Sequence, residues 1–335
     1  MHPRHFLTFR HLAALAVLTA HAFALSGKPP TALLTAFPSL AGFGGFGVTL
    51  FFIISGFLIS QSWSQSPDAK GFVQKRFLRV FPGLLGCLLF SILVGACFTS
   101  MPQNLYWQHS GVREFFINNL LLQTHLELPG VFLENPVPNA VNGSLWTIPI
   151  EVTCYLAILL LGMAGLLKNR WMANLSLLVL LALAIGFGDR ALLFNQMAWR
   201  EALPGYYSAF LFGALAYQNQ NWLPKSPVLA AGALIVAWWW LPASALTHYL
   251  VIASLALFVV NLALALGRRW PETRGSIDLS YGTYLYGFPI EQALVAAFPA
   301  FGGWTVLALA IPLCLVFSSL SWYLIERPAL RVIRR

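Results

Sequence analysis

The chain is broken into apolar runs of about 20 residues with short polar breaks between them, the length that crosses the hydrocarbon core of a bilayer as a helix. Of its 335 residues 58% are hydrophobic and only 9% are charged. An average soluble domain carries about 25% charged residues, so this chain cannot clothe a water-facing shell. Strand-built outer-membrane barrels are excluded as well, because their segments alternate over about 10 residues. The expected fold is an all-α polytopic integral membrane protein: a bundle of about ten transmembrane helices forming one domain over 1–335.

The runs fall at roughly 6–26, 42–62, 82–100, 145–167, 171–188, 205–219, 228–241, 247–266, 278–298 and 304–325. Those at 205–219 and 228–241 are short for an untilted crossing. Pro82 is read as a helix start. With the N-terminus in the cytoplasm, 16 of the 20 Lys and Arg residues fall on inner segments and only Lys28, Arg113, Arg190 and Arg200 fall outside. Cytoplasmic loops are enriched in Lys and Arg, so both termini are placed inside. Trp238, Trp239 and Trp240 then sit at the outer interface, the segment 101–144 is the long external loop and a candidate lid, and 326–335 is a short cytoplasmic tail. The net charge of +9 follows from this asymmetry, and no polar domain is present to take nucleic acid. Cys87, Cys97, Cys154 and Cys314 have no metal-ligand spacing and read as small buried hydrophobes. Ala20-His21-Ala22 after a basic start also fits a secretory cleavage site.

Charged side chains inside such spans cost roughly 2.5–3.5 kcal/mol each on insertion scales, so each marks a place where protein or water replaces lipid. Arg10 and His21 share one face of the first helix, about 16 Å apart along its axis. A snorkelling arginine and a histidine satisfied in the bundle are the structural alternative. Arg76 and Arg79, spaced i, i+3 before the third run, are either a positive-inside flank or a clamp for phosphate, which guanidinium binds bidentately. Glu151 falls about two turns into the fourth run, at a depth close to that of His21, with Tyr155 one turn further on the same face. Asn142-Gly143-Ser144 ahead of it also fits a glycosylation acceptor. In the ninth run Ser280, Tyr284, Gly287 and Glu291 form a polar stripe at helical spacing, directed to protein or to a water-filled cavity. Glu326 beside Arg327 reads as an ion pair at the inner interface. Intramembrane Arg, His and Glu suit an enzyme or a transporter or flippase for a lipid-linked saccharide or small solute; no clear internal repeat favours the transporter.

In order along the chain, Arg10 through His21, Phe51-Phe52-Ile53-Ile54-Ser55-Gly56-Phe57-Leu58-Ile59, Lys75 through Pro82, Ser144-Leu145-Trp146 with Glu151 and Tyr155, Ser280 through Tyr286, and Glu326-Arg327-Pro328 resemble the signatures of the membrane-bound acyltransferase 3 family. His11, Thr49 and Gly287 depart from it, standing where Gly, Asp and His are usual. The resemblance implies a bacterial O-acyltransferase of the cytoplasmic (inner) membrane. Its acyl group, an acetyl group in the first instance, comes from cytoplasmic acyl-CoA (acetyl-CoA as co-substrate, no metal) and goes to a sugar hydroxyl of a cell-envelope or secreted glycan. Arg10, Arg76 and Arg79 are then candidates to hold the donor phosphates. His21 is the candidate general base or transient acyl carrier, with Glu151 orienting it, and Tyr155, Tyr284 and Glu291 line the acceptor path. Cleavage at Ala22 would discard both Arg10 and His21, which argues against a signal peptide.

Overall fold

The structure is a computed structural model and describes residues 5–28, 40, 42–186, 205–223, 226–239, 244–269 and 277–332. Arg4, Arg190, Arg200, Lys225, Trp240, Arg274, Arg334 and Arg335, which enter the topology argument, lie outside the described residues, as do the side chains of Trp238, Trp239, Arg268 and Arg269. Each of the ten apolar runs carries a helix. In chain order these are α1 (Phe6–Leu25), α2 (Gly42–Gln65) and α3 (Ala69–Phe98), then α4 (Gln103–Gln108) and α5 (Ser110–Leu120) in the long loop. A 3-10 turn, Gly143–Trp146, leads into α6 (Thr147–Met163), followed by α7 (Arg170–Gly186), α8 (Tyr206–Gln218), α9 (Pro227–Trp239), α10 (Ala245–Arg269), α11 (Ser280–Ala297) and α12 (Gly303–Ser321). A π-helical turn, Trp322–Glu326, and α13 (Arg327–Arg331) follow. Among the described residues, six helical stretches are long and apolar enough to cross a membrane: Phe6–Leu25, Gly42–Gln65, Ala69–Phe98, Gly143–Met163, Leu246–Leu266 and Gly303–Arg331. Among the described residues pairing of the β type is limited to two isolated antiparallel bridges, Thr99 with Val131 and Glu127 with Ala140.

Helix α2 is the hub, packed against α1 on one side and α8 on another. Its approach to α8 is backbone to backbone. A Cβ on Gly56 would meet the carbonyl of Phe210, and one on Gly213 would meet the carbonyl of Ile53. Small residues permit this contact, and in lipid van der Waals packing, rather than exclusion of water, holds such helices together.

The third helix starts earlier than its apolar run. Instead of opening at Pro82, α3 opens at Ala69, where the Asp68 carboxylate accepts a bond from the Gly71 amide at 2.6 Å. An N-cap of this kind starts a helix regardless of hydrophobicity, and Pro82 is carried within it. A proline leaves one carbonyl without its helical partner, a loss that surrounding protein can offset in a membrane bundle.

The end of the long loop is sunk into the bundle. Asn142 is fully buried; its amide donates to the Leu285 carbonyl at 3.0 Å and to Cys87 Sγ at 3.2 Å, and its side-chain oxygen caps Ser144 N. A side chain so engaged is no glycosylation acceptor. Further out, Gln292 of α11 donates to the Val137 and Ala140 carbonyls, and Asn135 donates to Gln292. The candidate lid is thus pinned to α11 by side-chain amides.

Candidate active site

Folding brings together two guanidinium groups that sequence spacing alone does not. The four charged groups lie on separate segments: Arg10 on α1, Arg79 on α3, Asp278 just ahead of α11, and Glu326 in the π-helical turn. Arg10 Nη1 and Arg79 Nη2 both donate to Asp278 Oδ2 at 2.7 Å. Arg79 Nη1 also lies 3.6 Å from Glu326 Oε2. Charge-assisted bonds of this length are the strong ones. The π-helical turn carries Glu326 inward, 2% exposed, and its other oxygen accepts from Ser321 Oγ at 3.0 Å. Glu326 therefore pairs with Arg79 rather than with its neighbour Arg327, whose guanidinium lies over the Tyr323 ring.

Arg76 is held differently. The i, i+3 spacing on a continuous helix does put it on the same side of α3 as Arg79, as expected. Its guanidinium lies 5.9 Å from the ring centres of Phe72 and Tyr155, and its Nε is buried without a hydrogen-bond partner among the described residues.

These three arginines line one end of an open cavity whose empty space, open solvent included, is about 750 Å³. Its walls are the Val48, Phe51, Ser55 and Leu58 face of α2, Thr147, Ile148, Glu151 and Tyr155 of α6, and Tyr281 and Tyr284 of α11. Within it the Tyr155 hydroxyl donates to Glu151 Oε1, and the hydroxyls of Thr147 and Tyr284 share a bond at 2.8 Å. The Tyr281 hydroxyl, whose ring carries Arg79 at 5.3 Å, donates to the Val80 carbonyl. An apolar chamber with a cluster of fixed cations at one end can take an extended molecule whose anionic part stays at that end.

Of the residues singled out from the sequence, Arg10, Arg76, Arg79, Glu151, Tyr155 and Tyr284 line this cavity, and His21 and Glu291 do not. The far end is marked by Val48. Its neighbour Gly47 packs on Ala13 and Val17 of α1, so His21 lies about one turn, or 6 Å, beyond. There the imidazole meets the edge of Phe288, with ring centres 5.0 Å apart. Glu151 lines the cavity with the arginines and bonds the Tyr155 hydroxyl, whose ring carries Arg76, whereas His21 does not line it. The stripe on α11 is buried throughout: Ser280 bonds Asp278, Tyr284 faces the cavity, Gly287 lies against Leu18, and Glu291 is fully buried with neither oxygen hydrogen-bonded among the described residues.

Asp278 was missed. It lies 268 residues from Arg10 and 199 from Arg79, and it reads as the first residue of an apolar run. The signal that could have found it is Asp-x-Ser at a helix start, since Asp278 Oδ1 accepts from Ser280 N at 3.2 Å and Oγ at 2.6 Å. Among the described residues no three His, Cys, Asp or Glu side chains gather as a metal set would.

The sequence is similar to known proteins over nearly its whole length. A family model described as an acyltransferase domain matches residues 8–326, from just before Arg10 to Glu326. An O-acetyl transferase of Shigella phage Sf6 is 30% identical over 331 residues, covering 96% of this chain and 94% of that protein. Nodulation protein 10 of Rhizobium leguminosarum bv. viciae is 28% identical over 372 residues, covering 99% of this chain and 94% of that protein. No solved structure matches the chain. Because the match takes in both arginine signatures, the α2 motif, Glu151 and the Asp278-to-Glu326 end of the cluster, the chain belongs to the acyltransferase 3 family and is an acyltransferase.

Proposed function

We propose that this protein is a bacterial inner-membrane O-acetyltransferase that moves an acetyl group from cytoplasmic acetyl-CoA to a sugar hydroxyl of a cell-envelope or secreted glycan, free or lipid-linked. The observation that carries this reading is the convergence of Arg10, Arg76 and Arg79 at one end of a cavity that runs along α2 to within a turn of His21. The O-acetyl transferase of the Shigella phage supports the choice of acyl group and acceptor atom. In this reading the chain is a single domain of ten crossings with both termini cytoplasmic, as the distribution of Lys and Arg favours, and the arginine end of the cavity faces the cytoplasm, where coenzyme A is found.

In this scheme the guanidinium groups hold the donor's phosphates and the pantetheine arm lies along the α2 face. The span from Arg10 to His21, about 16 Å along α1, suits its length and brings the thioester carbonyl near the imidazole. His21 takes the proton of the acceptor hydroxyl as that oxygen bonds to the carbonyl carbon. The carbon–sulfur bond then breaks, and the thiolate leaves with the proton from His21. Direct transfer and transient acylation of His21 balance equally. Glu151 with Tyr155 acts at the arginine end, and Tyr284 and Glu291 border the acceptor's route along α11.

Acetylation of the glycan by a His21→Ala strain with wild-type protein level is the test. Loss of labile O-acetyl groups to below about one hundredth of wild type, the usual scale for general acid–base catalysis, is expected; retained acetylation would overturn the assignment of His21. Labelled acetyl-CoA without acceptor would leave acetyl on His21 only if the acyl-enzyme route is used.

A further inference from the structure

We propose that Asp278 is a positioning residue: it orients Arg10 and Arg79 in the cavity wall so that their unused N–H groups receive the anionic part of the acyl donor. This rests on the donor reading above and adds a residue to it.

The geometry is that of a clamp rather than of an isolated ion pair. One oxygen of Asp278 accepts from both guanidinium groups at 2.7 Å, and the other is held by the amide and hydroxyl of Ser280 at 3.2 and 2.6 Å. The carboxylate is thereby fixed to the start of α11 and fastens α1 and α3 to it. The side chains of Arg10, Arg79 and Asp278 are 21%, 16% and 15% exposed, so water screens the two cations from each other only in part. Without an anion between them they would repel, and two long side chains would regain rotamer freedom. A guanidinium has five N–H groups, and Asp278 engages a single nitrogen of each arginine, leaving further donors to face the cavity. Glu326 also faces Arg79, and Glu151 shares the cavity wall. Arg76, by contrast, is steered by aromatic faces and has no ion pair with a carboxylate among the described residues. Buried ion pairs seldom add net stability over apolar packing, whereas a binding group held in place by a second shell of contacts gains affinity.

The test uses full-length protein purified in a bilayer mimic, with coenzyme A binding and donor KM read separately from kcat and acceptor KM. Asp278→Asn should raise donor KM and the coenzyme A dissociation constant by about tenfold or more, the scale of one charge-assisted bond. Its kcat at saturating donor should stay within about threefold and acceptor KM should not move. Asp278→Glu should recover part of the loss. Ser280→Ala, which keeps the charge but frees the carboxylate to rotate, should raise donor KM about threefold, the scale of one neutral hydrogen bond. A merely structural Asp278 would lower the amount of active protein and leave donor KM alone, and that result would overturn the proposal. Should Asp278→Asn fail to accumulate, an unchanged donor KM in Ser280→Ala would overturn it equally. Failure of the wild type to bind coenzyme A at millimolar concentration would overturn the donor reading and this inference with it; binding by the wild type with equal binding by Asp278→Asn overturns this inference alone.

Discussion

Helix α2 has two faces made from one motif, and they are built on opposite principles. On the face toward α8, Ile53 and Gly56 meet Gly213 and Phe210 with no side chain between the backbones. On the face toward α6 and α11, Phe51, Ser55 and Leu58 line an open chamber. Ser55 and Gly56 are neighbours in sequence, yet one borders empty space and the other has none. The difference shows what the motif Phe51–Ile59 is for. Its glycine fixes where α2 stands, and the residues beside it shape the cavity that α2 thereby encloses.

The largest expected effect breaks this contrast directly. Gly56→Leu inserts a side chain where even a Cβ has no room, and neither backbone can give without moving a whole helix. Overpacking costs about 1–3 kcal/mol in cores that relax and more where backbone opposes backbone, so little folded protein should be recovered. Ser55→Ala, one residue earlier, should accumulate as wild type. The readout is the yield of monodisperse protein on size-exclusion chromatography, and equal yields would show that the seam is more compliant than its geometry implies.

A second contrast lies between two arginines one helical turn apart. Arg79→Ala leaves Asp278 with Arg10 as its one guanidinium partner and takes from Glu326 its ion-pair partner, and removing one partner of a buried pair typically costs about 3–5 kcal/mol. At 16% exposure the low end of that range applies. Arg79→Ala should therefore lower both thermal stability and donor affinity. Arg76→Ala strands no carboxylate. It should raise donor KM by about tenfold, the loss of about 1.4 kcal/mol, with the melting temperature nearly unchanged. Equal melting temperatures for the two variants would mean that the Asp278 cluster does not stiffen the fold.

What could be read from the sequence divides along the same line. Helices inside apolar runs are legible because run length and the cost of bare backbone in lipid leave no alternative. The spacings Arg10 to His21 and Arg76 to Arg79 are legible because helix geometry fixes them. Properties set by other segments are not. The place of Glu151 depends on the buried turn that Asn142 ties to Leu285, and the partner of Glu326 depends on a π-helical turn. Asp278 finds Arg10 only once α1, α3 and α11 are packed. The start of α3 was hidden for another reason: hydropathy marks where lipid begins, while the Asp68 cap marks where the helix begins.

The smallest expected effect concerns Tyr155, which has two roles in the cavity. Its ring carries the Arg76 guanidinium, and its hydroxyl bonds Glu151. Tyr155→Phe removes only the second. The cation over the ring survives in phenylalanine, so donor KM should stay within about twofold. Protein yield should be unchanged, since the ring volume is kept. If the placement of Glu151 serves the reaction, kcat should fall about threefold to tenfold, the scale of a net hydrogen-bond contribution near 1 kcal/mol. An unaltered kcat would take Glu151 out of the chemistry and leave it as a wall residue of the donor cavity. A raised donor KM at constant kcat would instead show that the hydroxyl, through Glu151, helps to hold Arg76 for the donor.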